Sequence, residues 1–122
     1  MTAFETLSTQ SFCYLTTIGR VTAHPHTIEI WFAIEGGTLY MLSGNGEDRG
    51  SDWVKNLVQT QDVSVRIDQT EFRGKGRIVT QADEDALARR LLLAKYEPTY
   101  SGDLSDWGRT ALPVAVDLES VA

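Results

Sequence analysis

The segment HTIEIWFAIEGGTLYMLS, residues 26–43, decides the fold because its apolar and polar residues alternate around a Gly-Gly pair. Alternation over several residues is typical of a strand with one buried face. Gly36 and Gly37 supply the turn between two such strands. The segment therefore predicts a β-hairpin with strands at 26–34 and 38–43. The apolar face of the first strand carries Ile28, Ile30, Phe32 and Ile34.

Four more segments have the composition of strands, because they are rich in β-branched and aromatic residues. They lie at 11–18, 63–67, 71–79 and 113–119. The segment 71–79 also holds Gly74 and Gly76 at alternate positions, which predicts a bend or a close neighbour on that face.

Helical patterns separate these strands. Longer helices are predicted at 52–59 and 83–96, and short ones near 2–7 and 104–107. In the second longer helix the apolar residues at helical spacing are Leu87, Leu91 and Ala94.

Two longer helices are too few to cover both faces of a sheet whose strands are mostly antiparallel neighbours. A barrel solves this problem because closure removes the exposed edge strands. The expected fold is therefore mainly β with flanking helices, a six-stranded antiparallel split β-barrel that forms one domain over residues 1–122. A ferredoxin-like sandwich fits less well, since its two long helices are not both present.

The net charge of −6 argues against general affinity for nucleic acid. No apolar run approaches the ~20 residues of a membrane helix, and the N-terminus lacks the basic and apolar regions of a signal peptide. We therefore expect a cytoplasmic protein without a transmembrane segment. A local basic zone on this acidic chain favours a discrete anionic ligand; it comprises Arg66, Arg73, Lys75 and Arg77.

A metal site is not expected. His24 and His26 are the only histidines, and the single Cys13 lies in another predicted strand, whereas zinc needs three or four convergent ligands. The chain also lacks the G-x-S-x-G pattern of a serine hydrolase and the Gly-Lys-Ser/Thr ending of a nucleotide-binding P-loop. The sequence therefore gives no sign of a metal centre or of hydrolytic catalysis.

Two features indicate a small-molecule site. The glycines of 44–50 leave backbone N–H groups free to face an anion, and this loop leads into the N-terminus of a predicted helix. Arg20 and Arg49 add positive charge. Trp31 lies on the face opposite Ile28, where it either packs under a helix or lines a pocket for a flat ligand.

Six segments occur in an order that resembles the deazaflavin-dependent nitroreductases, small split-barrel oxidoreductases related to the pyridoxamine-phosphate-oxidase fold. They read YLTTIGR at 14–20, PHTIEIWF at 25–32, LYMLSGNG at 39–46, SDWVKNL at 51–57, DVSVRI at 62–67 and DWGRTALPVAVDL at 106–118. The resemblance implies an oxidoreductase in which a reduced 8-hydroxy-5-deazaflavin, coenzyme F420, delivers a hydride to an acceptor. The implied acceptor is a small quinone, a nitroaromatic or another unsaturated molecule.

The resemblance also implies a set of coenzyme-binding residues. Arg20 corresponds to the arginine that meets the anionic tail, Trp31 to an aromatic position beside the deazaflavin, and Ser43 to the serine whose loop approaches the coenzyme. The complete set is Arg20, Pro25, His26, Trp31, Ser43, Gly44, Asn45, Gly46, Arg49, Trp53 and Lys55. No residue is an indispensable acid or nucleophile, because the coenzyme carries the hydride chemistry. Tyr96 and Tyr100 are candidate proton or hydrogen-bond donors.

The sequence departs from the family pattern at three positions. A basic residue is common in the family at the positions of Val21 and Gly44, and an arginine at the position of His26. Arg49 and Lys55 can compensate from the loop and the helix. Flavin mononucleotide (FMN), whose shorter tail needs fewer cations, is therefore an alternative coenzyme for an oxidoreductase on this fold. A non-catalytic flavin or deazaflavin carrier is an alternative function. We also expect a homodimer, since short members of this superfamily often complete the groove with a neighbouring chain.

Overall fold

The computed structural model describes residues 7–44 and 52–119, and the helix predicted near 2–7 lies outside them except for its last residue. This part of the chain forms seven strands and three helices. The strands are β1 (Cys13–Ile18), β2 (Pro25–Ile30), β3 (Ala33–Glu35), β4 (Thr38–Ser43), β5 (Asp62–Ile67), β6 (Thr70–Ile78) and β7 (Leu112–Leu118). The helices are α1 (Asp52–Gln59), α2 (Ala82–Tyr96) and α3 (Ser105–Thr110).

The strands pair in antiparallel fashion and belong to one curled sheet with the order β2-β1-β5-β6-β7-β4-β3. The predicted architecture, mainly β with flanking helices, is confirmed. The predicted number of six strands is wrong, because the segment 26–34 forms two strands instead of one. The Gly-Gly turn is confirmed, and Gly36 has a φ of +63°, a left-handed conformation that favours glycine.

Trp31 and Phe32 separate β2 from β3 and connect the first and last strands of the sheet order. Two intervening residues let these strand ends lie at most about 11 Å apart, so the sheet must curl until its outer strands approach each other. Alternation continues through this break. Ile28, Ile30 and Phe32 join one hydrophobic core, whereas Trp31 and Ala33 join another. The sequence pattern therefore does not reveal where the strand ends.

Lys95 and Tyr96, at the C-terminal end of α2, hydrogen-bond the main chain at this break. The Phe32 N–H donates to the Tyr96 hydroxyl at 3.0 Å, and that hydroxyl lies 2.7 Å from the Ser11 carbonyl oxygen and 3.1 Å from that of Phe32. The Lys95 ammonium donates to the Phe32 carbonyl at 2.9 Å. These bonds replace the ladder bonds of a continuous strand. Burial raises the pKa of Tyr96 to about 12 and lowers the pKa of Lys95 to about 8.

Two hydrophobic cores lie on the two faces of the sheet. One fills the barrel interior, and the other packs α2 and α3 against the outer face. Helix α1 closes the interior through Leu57, which lies so close to Gly76 that a Cβ there would overlap it. A Cβ on Gly74 would likewise overlap Val116 of β7. The close neighbours predicted from the two glycines are therefore confirmed.

Helix α2 begins one residue before its predicted start. Its buried residues are spaced four apart, at Ala88, Leu92 and Tyr96. The predicted apolar stripe is wrong at Ala94, which is exposed. The three consecutive leucines at 91–93 fit either face, so the sequence does not determine the rotation of the helix about its axis.

Arg77 on β6 joins three other elements through two carboxylates. Its guanidinium contacts Glu84 of α2 at 2.6 Å and Asp117 of β7 at 2.8 Å. Glu84 also accepts a hydrogen bond from the Tyr40 hydroxyl at 2.8 Å, and Asp117 accepts one from Thr38 at 3.2 Å. Hydrogen bonds from the guanidinium hold the pKa of both carboxyl groups below the usual range.

We expect Tyr96→Phe to lower the free energy of unfolding by about 1–3 kcal/mol, because the N–H of the buried Phe32 loses its partner. Urea unfolding followed by circular dichroism measures the change. Tyr100→Phe is the matched control, since Tyr100 is 46% exposed. Equal effects of the two substitutions would contradict the role given to the Tyr96 hydroxyl.

Arg77→Gln tests the ion-pair cluster through its pH dependence. Both carboxyl pKa values are lower in the folded chain than in the unfolded chain. Their contribution to stability is therefore present above the unfolded pKa of about 4 and is lost as the pH falls through the lowered folded values. We expect the variant to be less stable by about 1–2 kcal/mol at pH 7, a figure reduced for partial exposure, and by much less at pH 2. Urea unfolding at both pH values measures this difference.

Arg109→Gln is the control for this experiment, because it removes the guanidinium of an exposed pair with Asp106. It should leave stability little changed at either pH. If Arg77→Gln lowers stability equally at pH 7 and pH 2, the role of Arg77 is packing and not charge pairing.

Candidate functional site

A groove of about 470 Å³ opens between the β1–β2 connection and the first turns of α1. We call it the Arg20 groove. Three of the predicted coenzyme-binding residues, Arg20, His26 and Trp53, meet in its lining. The lining residues used below also include Thr17, Thr22, Asp52 and Asn56.

Arg20 is held by two residues of α1. Its backbone N–H and its guanidinium both donate to Asn56 Oδ1, at 3.1 and 2.9 Å, and the guanidinium lies 3.3 Å from the Asp52 carboxylate. Asn56 is buried, and its amide nitrogen donates to the Thr17 hydroxyl at 3.4 Å. The asparagine of the helix therefore positions the arginine of the turn. The Arg20 side chain is 29% exposed, so its guanidinium still faces the groove.

The β1–β2 connection is a compact turn built around Gly19. The Gly19 N–H donates to the His24 carbonyl and the Ala23 N–H donates to the Gly19 carbonyl, both at 2.8 Å. The side chains of Thr22 and His26 are hydrogen-bonded at 3.1 Å, and a Cβ on Gly19 would overlap both of them. Ala23 has a φ of +62°, an uncommon value for alanine. The turn therefore needs glycine at position 19 and uses His26 as a packing partner.

Of the other predicted coenzyme-binding residues, those that the structure describes do not line the Arg20 groove. Pro25 begins β2, and Lys55 is exposed on α1. Ser43 is buried at the end of β4, and Gly44 follows it with a φ of +61°. Outside the described residues lie Asn45, Gly46 and Arg49.

A second cavity, of about 500 Å³, lies at the other end of β2. We call it the aromatic pocket, and its walls include Phe12, Glu29, Trp31, Tyr100, Asp103 and Trp107. The Trp31 indole stacks on the Tyr96 ring with centroids 4.2 Å apart and an interplanar angle of 4°. It also meets the rings of Tyr100 and Trp107 edge-on, each at 5.6 Å. Both alternatives for Trp31 therefore apply, because it packs against α2 and lines a cavity.

The two candidate tyrosines have different environments. The Tyr96 hydroxyl is buried and engaged by main-chain groups at the strand break. Tyr100 is partly exposed and lines the aromatic pocket. Of the two, Tyr100 is the one whose position allows contact with a molecule in that pocket.

The predicted basic zone does not line the Arg20 groove, and its Arg73 borders a separate cavity together with Asp62, Glu71 and Glu119. Lys75 pairs with Asp62, and Arg77 is clamped by the two carboxylates described above. The Arg66 guanidinium lies 4.4 Å from the centre of the Tyr14 ring. None of these cations lines the Arg20 groove. Their charges interact with neighbouring carboxylates and with an aromatic ring of the same protein.

Sequence reasoning missed several residues of the two cavities. Thr17 lies two residues after the buried Leu15 and therefore on the same face of β1, so the strand pattern predicts that its side chain points inward. Asp103 and Trp107 come from the segment after α2 and meet β2 only in the folded chain. No local pattern links them to Trp31.

Among residues 7–44 and 52–119, no group of three or more histidine, cysteine or carboxylate side chains is arranged to hold a metal ion. No helix in this part of the chain is long and apolar enough to span a membrane.

Both cavities border β2. His26 and Ile28 belong to the Arg20 groove, and Ile30 and Trp31 to the aromatic pocket. At about 3.3 Å per residue, the corresponding parts of the strand are roughly 10 Å apart. One end offers a guanidinium with hydroxyl groups, which suits an anion. The other end offers aromatic rings, which suit a flat molecule. These residues fit a ligand that joins a planar ring system to an anionic tail.

The family of the chain is identified by sequence. A model of the F420H(2)-dependent quinone reductase family matches residues 2–119. A search of the curated proteins finds no match.

Solved structures share the fold at low sequence identity. An F420-H2 dependent reductase (FDR-A) has a TM-score of 0.69 at 18% identity, over 89% of this chain and 94% of that chain. A structure described as a domain-swapped dimer has a TM-score of 0.70 at 18% identity, over 89% and 80% of the two chains. A FAD-binding protein from Mesorhizobium loti has a TM-score of 0.66 at 17% identity, over 98% and 91%. Because the family match spans nearly the whole sequence, the chain belongs to the F420H(2)-dependent quinone reductase family and is a deazaflavin-dependent oxidoreductase.

Proposed function

We propose that the Arg20 groove binds the anionic tail of coenzyme F420, that the deazaflavin lies towards the aromatic pocket, and that a small quinone accepts the hydride there. The position of the two cavities at successive parts of β2 carries this proposal. Coenzyme F420 joins a planar tricycle to a phosphate and glutamate tail. The cavities offer matching chemistry in the same order.

The residues at each end have separate tasks. In the groove, Asn56 holds the Arg20 guanidinium in place, so little side-chain freedom is lost when an anion binds. The hydroxyl of Thr22 adds a further hydrogen-bonding group. At the other end, Trp31 is fixed by its stack on Tyr96 and offers a rigid apolar surface.

The protein binds and orients the reactants, and the reduced coenzyme supplies the hydride when bound. Reduction of a quinone to a hydroquinone needs one proton in addition to the hydride. Tyr100 borders the pocket and is partly exposed, so its hydroxyl can hydrogen-bond the acceptor oxygen while solvent supplies the proton. Tyr96 holds the main chain at the strand break and takes no part in this step.

Arg20→Ala should weaken the binding of coenzyme F420 by roughly tenfold to a hundredfold. A charge-assisted hydrogen bond contributes about 1.5–3 kcal/mol, which corresponds to this change in affinity. Isothermal titration calorimetry at low ionic strength measures the affinity, because salt screens a partly exposed guanidinium. Unchanged affinity would show that Arg20 serves only the turn, and would overturn the assignment of the groove.

Two further variants control this titration. Arg66→Ala removes a guanidinium outside the groove and should leave the affinity unchanged. Asp52→Asn removes the carboxylate that lies 3.3 Å from the Arg20 guanidinium. The anionic tail then meets less repulsion, and binding should tighten by about two- to fivefold. Circular dichroism establishes that each variant is folded.

FMN is a second candidate coenzyme, favoured by the Asp52 carboxylate beside Arg20. This carboxylate reduces the positive charge that the groove offers to a long anionic tail, and the tail of FMN is shorter. Parallel titrations with both coenzymes decide between them. A carrier would bind the reduced coenzyme and would transfer hydride to neither a quinone nor a nitroaromatic.

We also propose that the protein forms a homodimer. The structural neighbour described as a domain-swapped dimer supports this proposal. Strand β2, which borders both cavities, has β1 as its partner in the sheet and carries exposed residues, so a second chain has access to the site. Sedimentation velocity at micromolar concentration tests the assembly, and a stable single-chain mass would argue against it.

A further inference from the structure

The aromatic pocket combines four aromatic rings with two carboxylates. The rings belong to Phe12, Trp31, Tyr100 and Trp107, and the carboxylates to Glu29 and Asp103. Its other lining residues are apolar, and no lysine or arginine stands among the described residues that line it. The pocket is therefore negative in charge and aromatic in surface.

Each of the two carboxylates is hydrogen-bonded to an uncharged partner. Asp103 accepts hydrogen bonds from the Ser105 N–H at 2.9 Å and from the Ser105 hydroxyl at 2.6 Å, and these bonds lower its pKa. Glu29 accepts a hydrogen bond from the Tyr14 hydroxyl at 3.0 Å. Both partners are neutral hydrogen-bond donors, so neither cancels the charge. The Arg66 guanidinium lies 4.4 Å from the centre of the Tyr14 ring.

Aromatic faces and carboxylates attract the same kind of ligand. The face of an aromatic ring carries negative electrostatic potential and attracts cations, and the attraction is strongest for tryptophan. Carboxylates add Coulomb attraction for a cation and repel an anion. A flat cation is thus attracted by the rings and by the carboxylates, whereas a flat neutral molecule is attracted by the rings alone. A flat anion is repelled by the carboxylates and by the negative potential of the ring faces.

We propose that the aromatic pocket binds planar organic cations, and that it thereby selects acceptors whose ring system carries positive charge over anionic acceptors. The binding preference follows from the pocket alone. That the bound cation is a hydride acceptor rests on the proposed reductase function. The ligand class is an N-alkylated aromatic heterocycle, such as a quinolinium.

Reduction of such an acceptor fits the charge of the pocket. One hydride adds to a ring carbon of the cation, forms a C–H bond and cancels the positive charge. Both electrons arrive with that hydride from the reduced coenzyme, so no further reductant and no proton is needed. The neutral dihydro product loses its attraction to Glu29 and Asp103. The pocket therefore holds the product less tightly than the substrate, which favours product release.

The test is a comparison of three planar probes of similar size and different charge. N-methylquinolinium, quinoline and 2-naphthoate are titrated into the full chain at pH 8 without coenzyme, by isothermal titration calorimetry. We expect the cation to bind about tenfold or more tightly than the anion, with the neutral probe between them. Equal affinities for cation and anion would overturn the proposal.

Variants assign the binding to this pocket. Asp103→Asn and Glu29→Gln should each weaken binding of the cation by about three- to tenfold and leave that of quinoline unchanged. Asp106→Asn is the matched control, because it removes an exposed carboxylate on α3 that does not line the pocket. If Asp106→Asn weakens binding as much as Asp103→Asn does, the cation is held by the general negative charge of the chain and the proposal fails.

The outcome is separable from that of the proposed function. A preference for the cation without any binding of coenzyme F420 would support the pocket and refute the reductase assignment of the site. Coenzyme binding and quinone reduction without a preference for the cation would support the reductase assignment of the site and refute the proposal for the pocket. With coenzyme present, Asp103→Asn should lower kcat/KM for the quinolinium by a larger factor than kcat/KM for a neutral quinone.

Discussion

The shortness of the connection between β2 and β3 is the constraint on which the rest of the structure depends. Trp31 and Phe32 must join the two outermost strands of the sheet, so the sheet curls and encloses an apolar interior. The curl removes Phe32 from any strand ladder, and its N–H and carbonyl need other partners. Tyr96 and Lys95 provide them. The end of α2 is thereby attached to the point where the barrel closes.

Closure also determines where the two cavities lie. At the break, Phe32 enters the barrel interior and Trp31 packs on the outer side against α2. The opposite end of β2 carries His26 to the groove that Arg20 shares with α1. One strand at the edge of the sheet order therefore borders a groove that holds the Arg20 guanidinium and an aromatic pocket that holds two carboxylates. The charged side chains at the two ends belong to different residues, which allows each end to be altered independently.

Most strands and both longer helices were predictable because their apolar periodicity is local. The break at Trp31 was not, since Phe32 keeps the alternation of Ile30 and only the closure of the sheet interrupts the strand. The Arg20 groove was predictable in part. Its turn and its helix each have a sequence pattern, whereas the hydrogen bond between Arg20 and Asn56 joins residues 36 positions apart. The aromatic pocket is formed wholly by contacts between residues that are far apart in the sequence, and no local pattern predicts it.

The strand order has a consequence for how the chain folds. The pairs β1–β2, β3–β4 and β5–β6 are hairpins made from local contacts, whereas β1 must find β5 and β4 must find β7 across long stretches of chain. Long-range pairing is slow because loop-closure entropy is lost before the contacts form. The hydrogen bonds that join Tyr96 with Phe32 and with Ser11 span 64 and 85 positions, so we expect them among the last contacts to assemble. Trp31, stacked on the same tyrosine, is then an intrinsic fluorescent reporter of the final closing of the barrel.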